Sequence, residues 1–176
     1  MGRDGVEDDK KKLEERPEVK EGRYNWWCLS RYGSQTQKFM LAPKIIYGLM
    51  IVKPKFVLDS SGLFLNNANY FIPSDDYHFL GILNSKFCWF LIKNFCTRLQ
   101  GGYQLVGKNF GQIPITKNKS AKLVDSVKKM VDFQNRLKNS TLKKELEKQI
   151  ELLDNEIDEE VYKLYGITEE EKKIIE

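Results

Sequence analysis

Between Gly81 and Phe95 the chain places Leu83, Phe87, Phe90 and Leu91 at helical spacing, and Trp89, Ile92 and Phe95 make the apolar surface nearly continuous. A helix that is apolar on almost every side is buried, so the rest of the chain has to cover it. Just beyond, the character changes. Arg98, Gln100, Gly101, Gly102, Tyr103, Gln104, Lys108 and Asn109 form a polar, basic, glycine-bearing segment, and core-like residues return from Phe110 to Ile115, with Pro114 among them. A buried helix followed by such a loop presents hydrogen-bonding groups from a rigid base, as a nucleic-acid reader requires. The same residues also suit an ordinary helix–loop–strand connection.

A chain of 176 residues has room for one domain, or one domain with a helical appendage. Charge divides it into three. Residues 1–22 carry a net −2 and residues 116–176 a net −1, both dense in charge of either sign. Residues 23–115 hold ten basic against three acidic side chains, a net +7. A basic body between balanced flanks suits a polyanion, because Lys and Arg release counterions on meeting phosphates; a soluble domain can also be basic without such a partner. The divisions predict a polar lead-in over 1–22, a basic α+β domain over 23–115 and a helical region over 116–176 packed on it.

Cys28, Cys88 and Cys96 are odd in number and lack metal-ligand spacing. Cys28 and Cys88 adjoin tryptophans, so they read as packing thiols, with no disulfide framework and no zinc site. No signal peptide is evident and Lys93 breaks the longest apolar run, which predicts a cytoplasmic protein without a membrane span.

In chain order, residues 1–21 give a helix too short and polar to stand alone. Tyr24, Trp26 and Trp27 form an aromatic cluster, read as core or domain-seam packing in preference to base stacking. Residues 30–38 form a polar loop with Arg31, Gln35 and Lys38. Short strands follow at 43–50, 54–59, 63–65 and 70–73, the second and third joined as a hairpin through Ser60-Ser61-Gly62. Asp75 and Asp76 start one helix running to Phe95. Ser120 caps a helix carrying Leu123, Val127, Met130, Val131 and Leu137. Leu142, Leu146, Ile150, Leu153, Ile157, Val161 and Leu164 then line a long amphipathic helix that ends at Gly166. Thr168 and Glu171 fit a capping box for a last short helix.

Catalytic signatures are absent. The single histidine, His78, lies among Tyr77, Phe79 and Leu80 and reads as structural. There is no phosphate-cradling glycine loop and no Gly-x-Ser-x-Gly elbow. Glu170-Glu171-Lys172 looks like half of a nuclease metal motif, but it lies on a solvated terminal helix without an upstream Asp. These residues predict a binding module without an active site of its own.

Several blocks resemble the C-terminal target-recognition region of TaqI-like adenine DNA methyltransferases and the related type IIG restriction–modification enzymes. They are Leu13-Glu14-Glu15-Arg16-Pro17 before Trp26-Trp27, Pro43-Lys44-Ile45-Ile46-Tyr47, and Phe56-Val57-Leu58-Asp59 with Gly62. Further along come Gly81-Ile82-Leu83-Asn84-Ser85-Lys86, Gln112-Ile113-Pro114-Ile115, and residues 157–166 from Ile157-Asp158 to Tyr165-Gly166. Order and spacing match over roughly residues 10–176. Leu-Asn-Ser-Lys and Gln-Ile-Pro-Ile are the most specific parts. The resemblance implies a domain that clamps duplex DNA against a separate catalytic domain and supplies sequence specificity. The family's Asn-Pro-Pro-Tyr/Phe tetrapeptide and its glycine-rich S-adenosylmethionine signature are missing. This implies a specificity domain of a larger polypeptide or a stand-alone product, with the cofactor bound by a methyltransferase domain elsewhere in the parent polypeptide or on a separate subunit.

The expected fold is α+β, a small mainly antiparallel sheet packed by helices and followed by a C-terminal helical hairpin. The expected function is recognition of double-stranded DNA without a catalytic centre. The competing reading is a helical protein–protein module docking a partner through the 142–164 stripe, with an incidental basic surface; an enzyme is the third. Arg31, Gln35, Lys38, Arg98, Gln100, Tyr103, Gln104 and Lys108 are expected to form one DNA-facing surface from loops 30–38 and 98–109. Its lysines neutralise phosphates, and Arg98, Gln100 and Gln104 reach base edges. Gly101-Gly102 either brings the backbone close to DNA and aims Tyr103 outward, or turns the chain while Tyr103 caps the core.

Overall fold

The computed structural model describes residues 3–28, 34–137 and 143–175. The chain divides into two compact units, one ending at Lys38 and the other beginning at Phe39. The first holds α1 (Arg3–Glu14) and α2 (Pro17–Lys20) and enters α3 (Ser34–Leu41). Proline opens α2, where its missing N–H has no intrahelical bond to lose. Trp26 and Trp27 meet edge to face at 5.6 Å, and Lys10 lies over the Trp26 ring. Trp27 is 65% exposed, so the expected core packing does not hold for it within this unit. Residues 34–38, expected in a loop, belong to α3; residues 30–33 lie outside the described residues.

The second unit is α+β. Strand β1 (Lys44–Gly48) pairs antiparallel with β3 (Val57–Asp59) on one side and β4 (Asn69–Ile72) on the other. Two residues on, β2 (Met50–Ile51) joins a second antiparallel sheet with β5 (Thr97–Leu99) and β6 (Gly102–Gln104), in the order β2-β6-β5. Leu49 links the two sheets: its N–H donates to the Ala68 carbonyl and its carbonyl accepts from the Leu105 N–H, both at 2.9 Å.

The expected strand at 63–65 does not form, nor does its hairpin. The Asp59 carboxylate accepts from the Ser61 N–H at 2.9 Å, the Ser61 hydroxyl at 2.6 Å and the Leu63 N–H at 2.9 Å, which turns the chain away from β3. The same carboxylate pairs at 2.5 Å with Lys44 Nζ, which also donates to the Met40 carbonyl at 2.6 Å. Lys44 is wholly buried. Burial alone would raise the Asp59 carboxyl, but its hydrogen bonds from Lys44, Ser61 and Leu63 outweigh that and hold it well below the usual carboxylate range.

The expected single helix from Asp76 to Phe95 is two helices, α4 (Tyr77–Asn84) and α5 (Lys86–Phe95). Asp76 does cap the first, accepting from the His78 N–H at 2.8 Å. Ser85 makes the break. Its backbone is extended, its hydroxyl donates to the Ile82 carbonyl at 2.7 Å, and its oxygen accepts from the Cys88 N–H at 3.1 Å. Apolar periodicity runs through this junction undisturbed, which is why it reads as continuous. Gly81 lets α4 lie against the next long helix, because a methyl group there would come within 2.6 Å of Val127 Cγ2.

After α6 (Gly107–Phe110) the chain enters α7 (Ala121–Leu137) and α8 (Lys143–Tyr165). Ser120 caps α7 through the Leu123 N–H at 3.1 Å. Lys122 in its first turn pairs with Glu156 and Glu160 near the end of α8, so the two helices are antiparallel. At the end of α8 the Gly166 N–H donates to the Lys163 carbonyl and the Ile167 N–H to the Tyr162 carbonyl, a Schellman motif. Thr168 and Glu171 form the expected reciprocal capping box of α9 (Glu169–Ile175).

Candidate nucleic-acid interface

The segment expected as a loop over 98–109 is a β-ribbon followed by a short helix. Cys96 ends α5 with an extended backbone, and β5 leaves directly from it. Gln100 and Gly101 make a two-residue turn with φ of 45° and 83°. Both angles are positive, the signature of the type I′ turn whose twist matches that of the flanking strands. Gly101 turns the chain in open space, with nothing within 4 Å of the site a side chain would occupy. Gly102 has the opposite role: a β-carbon there would lie 3.0 Å from the Ile51 carbonyl oxygen, so its smallness lets the ribbon lie against β2. Tyr103 packs edge-on against Trp89 at 5.3 Å and is half-buried. It holds the ribbon to α5 and does not aim outward.

Side chains on a strand alternate, and directly paired residues share a face. Arg98 pairs with Tyr103, and Thr97 with Gln104. Arg98 and Gln104, both expected at base edges, therefore sit on opposite faces of the ribbon. Gln104 shares its face with Thr97, Leu99 and Met50, while Gln100 stands at the tip. Lys108 is exposed on α6 at the far end, close to where Asn109 donates to the Thr97 hydroxyl. Of the other expected residues, Lys38 is exposed on α3; Arg31 and the side chain of Gln35 lie outside the description.

The ribbon has basic neighbours that no local sequence pattern links to it. Lys53 and Lys55 leave β2 at the tip end, and Lys93 lies in the last turn of α5, where β5 begins. With Arg98 and Lys108 they make five exposed cations, none in an ion pair with a described residue. Residues 77–124 contain no Asp or Glu at all. The usable signal was Thr97-Arg98-Leu99 and Tyr103-Gln104-Leu105 flanking a Gln-Gly-Gly centre, a hairpin pattern hidden by its polarity.

In the same unit a frame of side chains bonds to the backbone of distant segments. Asn84 brackets the Phe56 backbone, accepting its N–H and donating to its carbonyl, both at 3.0 Å. Asp158 of α8 accepts the Lys86 N–H at 2.8 Å, one of the donors at the start of α5 that have no intrahelical acceptor. Burial pushes the Asp158 carboxyl up, against the opposing pull of Lys86. The Tyr165 hydroxyl donates to the Pro114 carbonyl at 2.9 Å and accepts the Thr116 N–H at 3.1 Å. The blocks around Lys44, Phe56, Asn84, Pro114 and Asp158 thus interlock as one scaffold.

His78 is buried on α4, and its Nε2 has no hydrogen-bond partner among the described residues. Burial, reinforced by Lys119, lowers its pKa, so the ring is neutral at physiological pH. Cys88 is buried and its thiol is pushed up to about 12, chiefly by burial. Among the described residues no group of His, Cys, Asp or Glu is arranged to hold a metal ion. No helix among them is long and apolar enough to cross a membrane. Comparison with known protein families finds no model that matches the chain, and comparison with curated proteins finds no matching sequence.

Proposed function

We propose that this chain is a target-recognition module that binds double-stranded DNA and supplies sequence specificity to an adenine methyltransferase domain lying outside residues 1–176. The observation that carries the reading is the set of exposed cations Lys53, Lys55, Lys93, Arg98 and Lys108 around a ribbon, none in an ion pair with a described residue, the last three on a stretch of 48 residues (77–124) free of carboxylates. Such a set has no ionic partner among the described residues and repels itself, whereas phosphates offer it charge-assisted bonds and counterion release. The major groove accepts a two-stranded ribbon, so the shape agrees with the charge.

The interlocking of the Lys44, Phe56, Asn84, Pro114 and Asp158 blocks supports reading the family resemblance as a shared scaffold. The module carries no catalytic centre in this reading, and S-adenosylmethionine belongs to the partner domain. The rival protein-interaction reading needed the stripe on α8 to be free. Leu146, Leu153, Ile157 and Val161 are instead buried within the unit, where α7 covers α8.

The test is binding to mixed-sequence duplex DNA across a salt series. Weak affinity that falls steeply with salt is expected, and Lys53→Ala and Lys108→Ala should each lower the logarithmic salt slope by about 0.9. Absence of binding at low ionic strength would overturn the proposal.

A further inference from the structure

We infer that the tip of the second sheet reads an A·T base pair in the major groove, with Gln100 on the adenine and Leu99 on the thymine methyl group. This rests on the DNA-recognition reading and goes further, because it assigns one base pair to two residues.

Gln100 is the only non-glycine among the described residues with a positive φ. Asn, Asp or Gly would occupy the first position of this turn with less strain, since an L-residue bearing a longer side chain is disfavoured there. Its side chain is exposed and makes no hydrogen bond with a described residue, so the fold gains nothing from it in return. Strain kept without an internal partner points to an external one.

The surroundings define that partner. Leu99 and Met50 share a face and are 42% and 43% exposed, and Val52, which follows β2 beside Gly102, is 72% exposed. Apolar atoms so open to water at a loop tip call for a contact. Lys53 adjoins them, Arg98 stands on the other face, and neither has an ionic partner among the described residues. Positive charge selects a polyanion as the occupant, and the tip must then meet whatever lies between its phosphate rows. A glutamine amide beside an aliphatic group matches one feature of a major groove: the N6/N7 edge of adenine next to the C5-methyl of thymine. The tip is also rigid, held by Gly102 against Ile51 and by Tyr103 against Trp89.

The experiment selects binding sites from a random duplex pool with the full chain at low salt. It is repeated with Gln100→Ala and Leu99→Ala after circular dichroism shows both to be folded. The wild type should select at least one A·T pair whose change to G·C weakens binding roughly ten- to a hundredfold. Gln100→Ala should lose preference at that pair alone. Deoxyuridine in place of its thymidine should weaken the wild type a few-fold and leave Leu99→Ala unaffected. If both variants keep every preference of the wild type, the tip is not the reader, although DNA recognition stands. If the wild type binds no duplex, or binds all sequences equally, sequence-specific recognition falls and the tip assignment with it. If it ignores DNA but self-associates, and Leu99→Asp disperses it, the apolar tip is a protein contact and the inference is overturned.

Discussion

The scaffold around Asn84 and the ribbon around Gln100 lie in one compact unit and treat their polar groups in opposite ways. In the scaffold buried polar groups are matched across the fold: Lys44 with Asp59, Asn84 with the Phe56 backbone, the Lys86 N–H with Asp158. Around the ribbon Arg98, Gln100, Lys53 and Lys108 extend into solvent without ionic partners among the described residues. A polar side chain buried without a partner costs about 1–3 kcal/mol, so scaffold positions tolerate few alternatives. An exposed one costs almost nothing, so ribbon positions are free to serve an external ligand. On the proposed reading, stability and recognition are separated within a single unit, and substitutions should respect the division.

The largest effect belongs to the buried ion pair. Lys44→Ala should lower unfolding free energy by about 3–5 kcal/mol in urea titration, because it leaves the Asp59 charge uncompensated. The double variant Lys44→Met, Asp59→Leu should recover most of the loss. Asp59 is held below its unfolded value, so its contribution is present above about pH 4 and is lost as pH falls through the folded pKa. Acid should therefore destabilise the wild type more than the double variant. A loss under about 1 kcal/mol for Lys44→Ala would erase the contrast.

Next comes Asn84. Its replacement by Ala leaves the Phe56 N–H and carbonyl without their partner and should cost about 2–3 kcal/mol, read as a lower urea midpoint with unchanged slope. Affinity for DNA, measured where the variant is still folded, should not move.

Asp158 sharpens the comparison by separating a hydrogen bond from a charge. Asp158→Ala should cost about 1 kcal/mol through the orphaned Lys86 N–H. Asp158→Asn keeps an acceptor and removes a carboxylate that burial disfavours. Because the folded pKa is raised, stability linked to this group is greatest below about pH 4 and declines as pH rises through the folded value. Asp158→Asn should abolish that decline in thermal melts recorded across the pH range. A pH profile identical to the wild type would remove Asp158 as its source.

The smallest effect lies in the ribbon. Gln100→Asn relieves the turn and should raise stability by about 0.5 kcal/mol, a small upward shift in melting temperature. Its amide is one methylene shorter, so preference at the A·T position should weaken in the same protein. A stabilised variant with poorer recognition is the outcome that scaffold positions cannot produce.

The α+β class, α7 and α8 with the Ser120 cap and Gly166 stop, and the Thr168–Glu171 capping box all follow from spacing and local chemistry, and the sequence alone determines them. Those signals act within a few residues, so no partner from elsewhere in the chain is needed. Other features depend on contacts made at a distance. Ser85 divides a helix whose apolar pattern is continuous, and the Lys86 N–H freed there meets an acceptor 72 residues away. The Asp59 carboxylate, engaged by Lys44, draws Ser61 and Leu63 into a turn where the sequence reads as a hairpin. The 98–109 segment has loop composition; it forms a ribbon because Gly102 fits against β2 and Tyr103 against Trp89. That packing also places Arg98 and Gln104 on opposite faces. A two-residue alternation fixes faces only once the strand exists, and here tertiary contacts decide that it does.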